Sequence, residues 1–403
     1  MAIGDIYASI DLGSNSFKIV TASEDESGLK IESCNEIASH GISRGVIIDT
    51  EKCYRKLSSF IFQLRKIHSF KVNLSSKLIN GFCSSGGISV SGKISEKHIT
   101  SAIFSDKNYS LESQKNNIVL FYPYNFDINH TTAVTQPVGI KAKHLNVDYH
   151  LLSINREVVN NIHKIFEDTK YEVGDEIVSS ISLGFMALTF DQKQKGICLL
   201  DIGSETCDLI VINNNSIKFS CVLEFGGIDF TKNIQYHYDC SFDEAENLKN
   251  NYGFINNNNH HNEDLIKFEQ LGITKMLSNY QLAEVIEQSC VELLSQIKNA
   301  LNNAMLGGAL GSGFVMTGGC AKLDGLQEFS RKILRNKVTI LNIDDEDFLN
   351  KGIYFKNKNQ NNLKYYNALS LLIYKKDNKY LIPNVDINDK NPGFFGRIMK
   401  LVK

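Results

Sequence analysis

The sequence lacks the features that mark exported and membrane-spanning proteins. Its 9 cysteines include no C-x-x-C pair. An odd number of cysteines without an export signal favours reduced thiols in a cytosol, where most of them act as small buried apolar residues. The first residues, MAIGDIYASIDLG, contain no basic stretch followed by an apolar core, and no run of about 18 apolar residues occurs in the chain. We therefore expect a protein that is neither secreted nor membrane-spanning.

An excess of charge of one sign is also missing. Lys and Arg together number 43 and Asp and Glu together number 45, which leaves a formal net charge of -2 at pH 7. A chain this close to neutral has no overall electrostatic attraction to DNA or RNA, so we expect no nucleic-acid partner. What is present is an ordinary globular composition, with 42% hydrophobic and 22% charged residues. The length of 403 residues favours two or more domains.

Two stretches share one pattern, in which an apolar strand, an Asp-x-Gly turn and a second apolar strand follow each other. The first is IDLGSNSFK (10–18), among strands predicted at 6–10, 17–22 and 29–33, and the second is LDIGSETCD (200–208). The repeat indicates an internal duplication. One such turn alone is most often an ordinary hairpin. Two of them facing each other would clamp a polyphosphate, because glycine lets a backbone approach closely while amides and hydroxyls donate to phosphate oxygens.

A third glycine turn follows farther along the chain. The apolar stretch GFVMT (313–317) predicts a strand that runs into Gly318 and Gly319 and then into a helix. Asp11 on the first turn and Asp201 on the second are suited to Mg²⁺, a hard cation that prefers oxygen ligands and keeps its own waters. Three turns in this order, two of them with matching strands, favour a phosphate site over three unrelated hairpins.

Two amphipathic helices are predicted from the spacing of apolar residues. The first covers 50–67, with Asp49 or Thr50 as its N-cap. The second covers 282–301, and its apolar stripe is more typical of a core than of a binding site.

Two other regions differ from this regular pattern. Short segments punctuated by serine, asparagine and glycine predict an inserted subdomain at about 80–150. An asparagine-rich segment at about 230–280 is predicted to be helical, with a polar loop at 256–264. Adjacent histidines in that loop, His260 and His261, are more typical of a solvated loop than of a metal site.

The order of the three turns resembles the actin, Hsp-chaperone and sugar-kinase superfamily, in which two phosphate loops precede an adenosine-site Thr-Gly-Gly. Within it, nearly the whole chain is similar to the FtsA family of bacterial cell-division proteins. The stretches that carry this resemblance are HGISRGVIIDTEK (40–52), QPVGI (136–140), AENLKNNYG (245–253), LAEVIEQ (282–288) and the C-terminal tail. The resemblance implies an α/β, actin-like two-domain fold with duplicated ribonuclease-H-like cores, an FtsA-type 1C insertion and a C-terminal amphipathic helix.

The resemblance also implies domain boundaries. They are 1–79 and 151–185 for subdomain 1A, with a return segment at about 345–375; 80–150 for the 1C insertion; 186–227 and 286–344 for subdomain 2A; 228–285 for subdomain 2B; 376–392 for a flexible linker; and 393–403 for a membrane-targeting helix.

Roles for individual residues follow from the same resemblance. The expected ligands are ATP and Mg²⁺, with Asp11 and Asp201 at the metal. Glu246 and Lys249 would reach the ribose and adenine, although a lone pair three apart on one helix face is otherwise a surface salt bridge. We assign no catalytic residue and expect at most a slow ATPase. The predicted cofactor-binding residues are Asp11, Gly13, Ser14, Ser16, Lys18, Asp201, Gly203, Ser204, Thr206, Glu246, Lys249, Gly318 and Gly319.

Two positions depart from the family pattern. FtsA proteins commonly carry three consecutive glycines in the second loop and a lysine where Ser16 stands. The second loop here is Gly203-Ser204-Glu205-Thr206, so a carboxylate lies beside the expected phosphates. Unless Glu205 points away, its repulsion of a phosphate a few Å distant costs on the order of a few kcal/mol. We therefore expect weakened nucleotide binding.

The tail FFGRIMKLVK (394–403) has the pattern of a helix that lies in a membrane interface. At about 100° per residue its apolar side chains form one arc and its cations the other, which suits an acyl boundary and anionic headgroups. A helix docked on its own domain is the alternative, but the polar stretch at 375–392 is typical of a tether. The predicted membrane-binding residues are Phe394, Phe395, Arg397, Ile398, Met399, Lys400, Leu401, Val402 and Lys403.

Taken together, the resemblance and the tail imply a peripheral protein on the cytoplasmic face of the inner membrane at the division septum. Such a protein would bind ATP, self-associate into actin-like filaments, bind the C-terminal peptide of FtsZ on subdomain 2B and recruit other division proteins. An exopolyphosphatase-like phosphohydrolase is an alternative, because IDLGSNSF is similar to the beginning of those enzymes. A chaperone-type ATPase is disfavoured because no substrate-binding domain follows residue 375, and a pilus-assembly actin homologue is disfavoured by the tail.

Overall fold

The computed structural model describes residues 6–374 except 63, 65, 66, 68, 135, 168 and 256–263. The strands are β1 (Ile6–Leu12), β2 (Ser16–Asp25), β3 (Gly28–Ala38), β4 (Ile42–Ser43), β5 (Val46–Ile47), β6 (Ser69–Leu74), β7 (Ile79–Lys93), β8 (Asn117–Ile128), β9 (Thr132–Val134), β10 (Lys141–Ile154), β11 (Glu172–Val178), β12 (Ile197–Ile202), β13 (Cys207–Asn213), β14 (Ser216–Leu223), β15 (Leu265–Gln270), β16 (Ile273–Ser278), β17 (Gly313–Thr317), β18 (Val338–Ile340) and β19 (Ile353–Phe355).

The helices alternate with these strands. They are α1 (Thr50–Ile61), α2 (Glu96–Phe104), α3 (Lys107–Lys115), α4 (Arg156–Glu167), α5 (Ser179–Ala187), α6 (Phe190–Lys195), α7 (Gly227–Tyr238), α8 (Phe242–Tyr252), α9 (Asn279–Asn303), α10 (Leu326–Leu334), α11 (Asp345–Asn350) and α12 (Tyr366–Ile373), with short 3₁₀ turns at Cys320–Lys322, Lys358–Gln360 and Leu363–Tyr365.

Two sheets share one topology, which confirms the internal duplication. In the first, β1, β2 and β3 form an antiparallel meander, β6 runs parallel to β1, and β11 runs parallel to β6. In the second, β12, β13 and β14 form the meander, followed by parallel β17 and β18. The resulting orders are β11-β6-β1-β2-β3-β19 and β14-β13-β12-β17-β18. The two Asp-x-Gly turns therefore occupy equivalent positions, each between the first two strands of a meander.

Two helices join the halves and bring their sheets face to face. α12 packs on β1, β2 and β6 of the first sheet, and α5 packs on β12 and β13 of the second. The helices contact each other through small residues, and the hydroxyls of Ser182 and Ser370 are hydrogen-bonded at 2.8 Å. Because β1 and β12 are covered on both faces, their sequences are nearly all apolar. The aspartates at their ends are consequently held on rigid, buried strands.

Helix α1 begins as predicted but ends earlier. The Asp49 side chain accepts a hydrogen bond from the Lys52 backbone N–H, as an N-cap should. The helix ends at Ile61 instead of residue 67. The hydroxyl of Tyr171, from elsewhere in the fold, donates to the last helical carbonyl, Ile61 O, at 2.8 Å and to Leu64 O, just beyond the helix, at 2.6 Å. The predicted end was wrong because this partner is distant in sequence.

The prediction of helix throughout 230–280 was wrong in its last part. Helices α7 and α8 are present, but β15 and β16 form an antiparallel hairpin. Ile266 and Phe268 alternate with exposed residues along β15, as a half-buried strand requires. The chain reverses at Leu271 and Gly272, which both have positive φ, of 50° and 80°.

A third sheet is formed by a segment inserted between β6 and β11 of the first sheet. Within residues 79–154 the strands form a sheet in the order β7-β10-β8-β9, and α2 and α3 pack beside it around a separate apolar core. The sheet approaches the second half closely at Gly81, where a Cβ atom would lie 2.2 Å from Ser220 Oγ. The buried His150 imidazole is hydrogen-bonded to the same hydroxyl, and burial lowers its pKa to about 3. The subdomain boundaries given above stay a prediction.

Candidate functional site

All of the predicted cofactor-binding residues line one cleft between the two halves. The cleft has a volume of about 770 Å³, within the usual range for small-molecule sites. Its walls come from the β1–β2 and β12–β13 turns, the end of β17, helix α8 and the start of α12. The residues gathered there from the predicted set are Asp11, Gly13, Ser14, Ser16, Lys18, Asp201, Gly203, Ser204, Thr206, Glu246, Lys249, Gly318 and Gly319. Their roles as ligands stay a prediction.

The first loop is shaped by the register of the β1–β2 hairpin. Asp11 pairs with Lys18 in this register, and Lys18 Nζ lies 3.8 Å from Asp11 Oδ2. At Gly13 a Cβ atom would lie 2.8 Å from Ser16 O, so the turn needs glycine there. Burial raises the pKa of Asp11, and the nearby Lys18 ammonium partly offsets that effect.

The second loop repeats this register with a different residue. Asp201 pairs with Asp208 where the first hairpin pairs an aspartate with a lysine. Asp201 Oδ2 accepts a hydrogen bond from Asn367 Nδ2 at 2.7 Å, and Asp208 Oδ2 accepts one from Ser75 Oγ at 2.6 Å. Asp208 Oδ1 is buried and has no hydrogen-bond partner among the described residues. Burial raises the pKa of Asp201 to about 6 and that of Asp208 to about 8, and repulsion from neighbouring carboxylates adds to the effect.

The third turn holds its glycines for different reasons. Gly318 has φ +88°, and a Cβ atom there would lie 2.3 Å from Ile202 O and 2.5 Å from Asp201 Oδ1. At Gly319 a Cβ atom would have no neighbouring atom of the described chain within 4 Å, so that direction is open space. The first glycine is therefore required for the turn to approach β12, whereas the second keeps the cleft wall flat.

These surroundings predict that alanine substitutions at Gly318 and Gly319 differ in their effect on stability. Gly318→Ala should lower the free energy of unfolding by about 2 kcal/mol or more, because the left-handed φ and the backbone contact both oppose a methyl group. Gly319→Ala should melt near the wild-type temperature but weaken binding of any ligand on that wall. Thermal melts of the two variants check the difference, and equal melting temperatures would contradict it.

The pair Glu246 and Lys249 lies on α8 and is more than a surface salt bridge. Lys249 Nζ donates to Glu246 Oε2 at 2.7 Å, to Thr231 Oγ1 at 2.7 Å and to Gly227 O at 3.0 Å. The Lys249 side chain is only 13% exposed. Burial alone would raise the pKa of Glu246, but the hydrogen bonds from Lys249 and Thr231 outweigh it and lower the pKa. The pair therefore joins α8 to the start of α7 at the cleft wall.

Glu205 is hydrogen-bonded to Arg44 of the first half of the molecule. Its Oε2 accepts a hydrogen bond from the Arg44 backbone N–H at 2.5 Å. The Arg44 guanidinium donates to Glu205 O at 2.8 Å. The expectation that a free carboxylate repels phosphates assumed that Glu205 has no partner, and the structure supplies an N–H donor for its carboxylate.

Ser16 also has partners that the sequence does not reveal. Its hydroxyl donates to Glu36 Oε1 at 2.7 Å, and Lys364 Nζ donates to Glu36 Oε2 at 2.8 Å. An ammonium group thus lies close to the position where the family commonly has a lysine, but it comes from a segment more than 300 residues away.

The cleft contains more acidic than basic side chains. Among the described residues that line it, the acids are Asp11, Glu36, Asp201, Glu205, Asp208, Glu246 and Asp324, and the bases are Lys18, Lys249, Lys322 and Lys364. No group of three or more His, Cys, Asp or Glu side chains within the described chain has the spacing of a direct metal site. A cation held by two aspartates and its own waters does not require such a group.

Sequence reasoning missed several residues that complete the cleft. Asn367, Ser75 and Lys364 act across large sequence separations, so no local pattern points to them. Asp208 is visible in the sequence as the second aspartate flanking the turn, seven residues after Asp201, but it is not among the predicted site residues.

Other predictions lie beyond the described residues. His260 and His261 are in the gap at 256–263, and the linker and the predicted membrane-binding residues are in 375–403. No helix in the described part is both long and apolar enough to cross a bilayer.

Several known cell division proteins are similar to this chain. A family model described as "Cell division protein FtsA" matches residues 198–358. A cell division protein FtsA of Buchnera aphidicola subsp. Baizongia pistaciae is 28% identical over 317 residues, which is 75% of this chain and 75% of the relative. That of Bacillus subtilis is 22% identical over 345 residues, 83% of this chain and 78% of the relative. That of Escherichia coli K12 is 23% identical over 317 residues, 75% of each.

Solved structures resemble the fold over most of its length. A chain of the PilM-PilN type IV pilus biogenesis complex has a TM-score of 0.64 at 15% identity, covering 91% of this chain and 97% of its own. MreB5 of Spiroplasma citri bound to ADP has a TM-score of 0.52 at 14% identity, covering 85% of this chain and 93% of its own. At these identities the likeness concerns the fold alone, and it confirms the predicted actin-like two-domain architecture.

Proposed function

Because the chain belongs to the FtsA family of actin-like cell division proteins, we propose that it binds ATP with Mg²⁺ in this cleft and anchors the FtsZ ring to the cytoplasmic membrane. The observation that carries the nucleotide part is the convergence of three glycine turns and the Glu246–Lys249 pair on one cleft. The MreB5 structure with a similar fold is described as bound to ADP, which supports a nucleotide as the ligand.

The residues of the cleft fit a hydrated Mg²⁺ ion. Asp11 and Asp201 would hold the ion directly or through water, and Asp208 adds a buried oxygen that accepts no hydrogen bond within the described chain. When bound, the ion would neutralise phosphate charge in a cleft where carboxylates outnumber lysines. The protein residues would bind and orient the nucleotide, with Lys18 near the phosphates and Lys249 near the ribose. We assign no residue to the chemistry of hydrolysis.

The remaining parts of the proposal rest on the family and the tail. A short amphipathic helix at 393–403 would bind anionic lipids on the cytoplasmic face of the inner membrane. Actin-like self-association would link many such helices, and linking weak anchors multiplies their avidity. The C-terminal peptide of FtsZ would bind within 228–285, and later division proteins would join at the septum.

Removal of the metal tests the nucleotide proposal. The full chain should bind ATP at least about tenfold more tightly with Mg²⁺ than in excess EDTA, because the uncompensated phosphates would face an excess of carboxylates. Isothermal titration with both solutions measures the ratio, and adenosine is the control, since its affinity should not depend on the metal. Absence of ATP binding with Mg²⁺ would refute the proposal. Phosphate release from polyphosphate instead would favour the phosphohydrolase alternative.

A further inference from the structure

Arg44, in the first half of the molecule, makes several hydrogen bonds to the second half. It lies at the turn between β4 and β5, in the first half. Its guanidinium donates to Asp229 Oδ1 at 2.8 Å and Oδ2 at 3.1 Å, and to Glu224 O at 2.7 Å. With its two bonds to Glu205, every one of these acceptors belongs to the second half. Hydrogen bonds to Asp229 and the neighbouring carboxylates hold the pKa of Arg44 above its usual value.

The backbone of this turn is held in a conformation that has a cost. Arg44 has φ 51°, a left-handed conformation that costs a non-glycine residue roughly 1–2 kcal/mol. The next residue, Gly45, has φ 73°, and a Cβ atom there would lie 1.7 Å from Ser75 O. The turn is therefore packed closely against Ser75. In this position both the backbone N–H and the side chain of Arg44 are hydrogen-bonded to Glu205. Strain of this kind is retained where the surrounding structure requires it.

The contacts of Arg44 reach the second loop by two routes. One is direct, through the carboxylate and carbonyl of Glu205, which lies between the loop residues Ser204 and Thr206. The other passes through Asp229, whose Oδ2 also accepts the Gly226 N–H at 2.8 Å at the start of α7. The first turn of α7 in turn supports the loop, because the Ile228 N–H donates to Ser204 O at 2.7 Å.

Arg44 itself does not line the cleft, whereas Glu205 does. An unpartnered Glu205 would place a negative charge in a loop that lines the cleft. With Arg44 present, the carboxylate accepts the Arg44 backbone N–H, and the Arg44 guanidinium is hydrogen-bonded to the carbonyl of the same glutamate. The arginine therefore changes what a bound anion meets without touching it.

We propose that Arg44 is a positioning residue of the nucleotide site, which holds the Glu205 carboxylate away from the phosphates and fixes the second loop from the first half of the molecule. This inference rests on the proposed nucleotide binding. It explains how a carboxylate is tolerated in a loop that faces phosphate groups, and it makes the second loop dependent on the relative position of the two halves.

A double-variant experiment with the full chain tests the inference. Arg44→Ala should weaken binding of Mg-ATP by at least about tenfold. The backbone N–H that reaches Glu205 Oε2 remains, but its turn loses the guanidinium bonds to Asp229, Glu205 O and Glu224 O that hold it against the second half, so the carboxylate is no longer held in place. Binding of adenosine, which has no phosphate, should change less than about threefold. In a Glu205→Gln background, the same Arg44→Ala change should alter Mg-ATP affinity by less than about threefold, since no charge remains to be held. Isothermal titration of the four proteins measures all of these values.

A matched control comes from another ion pair between the two halves. Lys77 Nζ contacts Glu224 Oε2 at 2.7 Å, but neither residue lines the cleft. Lys77→Ala should leave Mg-ATP affinity within about threefold of wild type, because this exposed pair does not involve the second loop. Arg44→Lys keeps the positive charge but loses the planar guanidinium group. It replaces Arg44→Ala in the titrations if Arg44→Ala melts at a much lower temperature than wild type. Arg44→Lys should lower the affinity for Mg-ATP less than Arg44→Ala does, and this loss should also disappear in the Glu205→Gln background.

Three results would overturn the inference. The first is an Arg44→Ala variant that binds Mg-ATP as tightly as wild type. The second is an equal loss of ATP and adenosine affinity, and the third is a loss that persists unchanged with Gln at position 205. Each of these leaves the proposed nucleotide site intact, because the wild-type protein binds Mg-ATP in all of them. A wild-type protein that binds no Mg-ATP removes the proposed function itself.

Discussion

Removal of residues 392–403 should leave the protein in the supernatant when it is centrifuged with anionic lipid vesicles, whereas the full chain should pellet. The sequence of the tail places six apolar side chains on one arc of a helix and its cations on the other. A single helix of this length binds weakly, so the pelleted fraction should rise with Mg-ATP if nucleotide binding favours self-association. The measurement is co-sedimentation of the full chain and of a chain ending at Asn391, each with and without Mg-ATP.

Two neighbouring substitutions supply the matched control. Phe395→Gln removes a bulky group from the apolar arc, whereas Gly396→Gln adds the same side chain to the polar arc. The first should reduce the pelleted fraction strongly and the second should change it little. If the full and truncated chains behave alike, the membrane-anchor proposal is wrong, and a soluble enzyme becomes the better account.

Lys249→Met should lower the free energy of unfolding by about 2–3 kcal/mol, with a fall in melting temperature of about 5 °C or more. The substitution keeps most of the apolar stem but removes an ammonium that donates to Glu246, Thr231 and Gly227 O. The Glu246 carboxylate then loses its cation on a partly buried wall. The expected cost is below that of a fully buried pair because Glu246 is 37% exposed.

Lys322→Met is the control for this change. Lys322 lines the same cleft but is exposed, so the substitution should alter the free energy of unfolding by less than about 0.5 kcal/mol. Thermal melts of both variants decide the question. Equal melting temperatures for Lys249→Met and wild type would mean that the pair is an ordinary surface salt bridge, as its spacing alone suggests.

The parts of the fold and the cleft that depend on local sequence were predictable. The Asp-x-Gly turns at Asp11 and Asp201 follow from strand alternation and turn chemistry, which act over a few residues. Helix α9 follows from apolar spacing, and its bounds contain the predicted 282–301. The duplication was visible because both halves kept the same order of strand, turn and strand.

What the sequence did not reveal depends on contacts between distant segments. Glu205 and Arg44 are separated by 161 positions, so the sequence shows a loop carboxylate without its partner. The early end of α1 depends on Tyr171, which is more than 100 residues away. The hairpin of β15 and β16 was mistaken for helix because its polar flanks hide the alternation of two buried side chains.

The duplicated hairpins give the two walls of the cleft different side chains at equivalent positions. The position opposite the aspartate is Lys18 in the first half and Asp208 in the second. Had both halves kept the same residue, the two walls would present similar potentials to a molecule between them. With an ammonium on one wall and a buried carboxyl on the other, the two walls present different groups to that molecule. A ligand that carries charge at one end only therefore has one preferred orientation in the cleft, although the two walls share one strand topology.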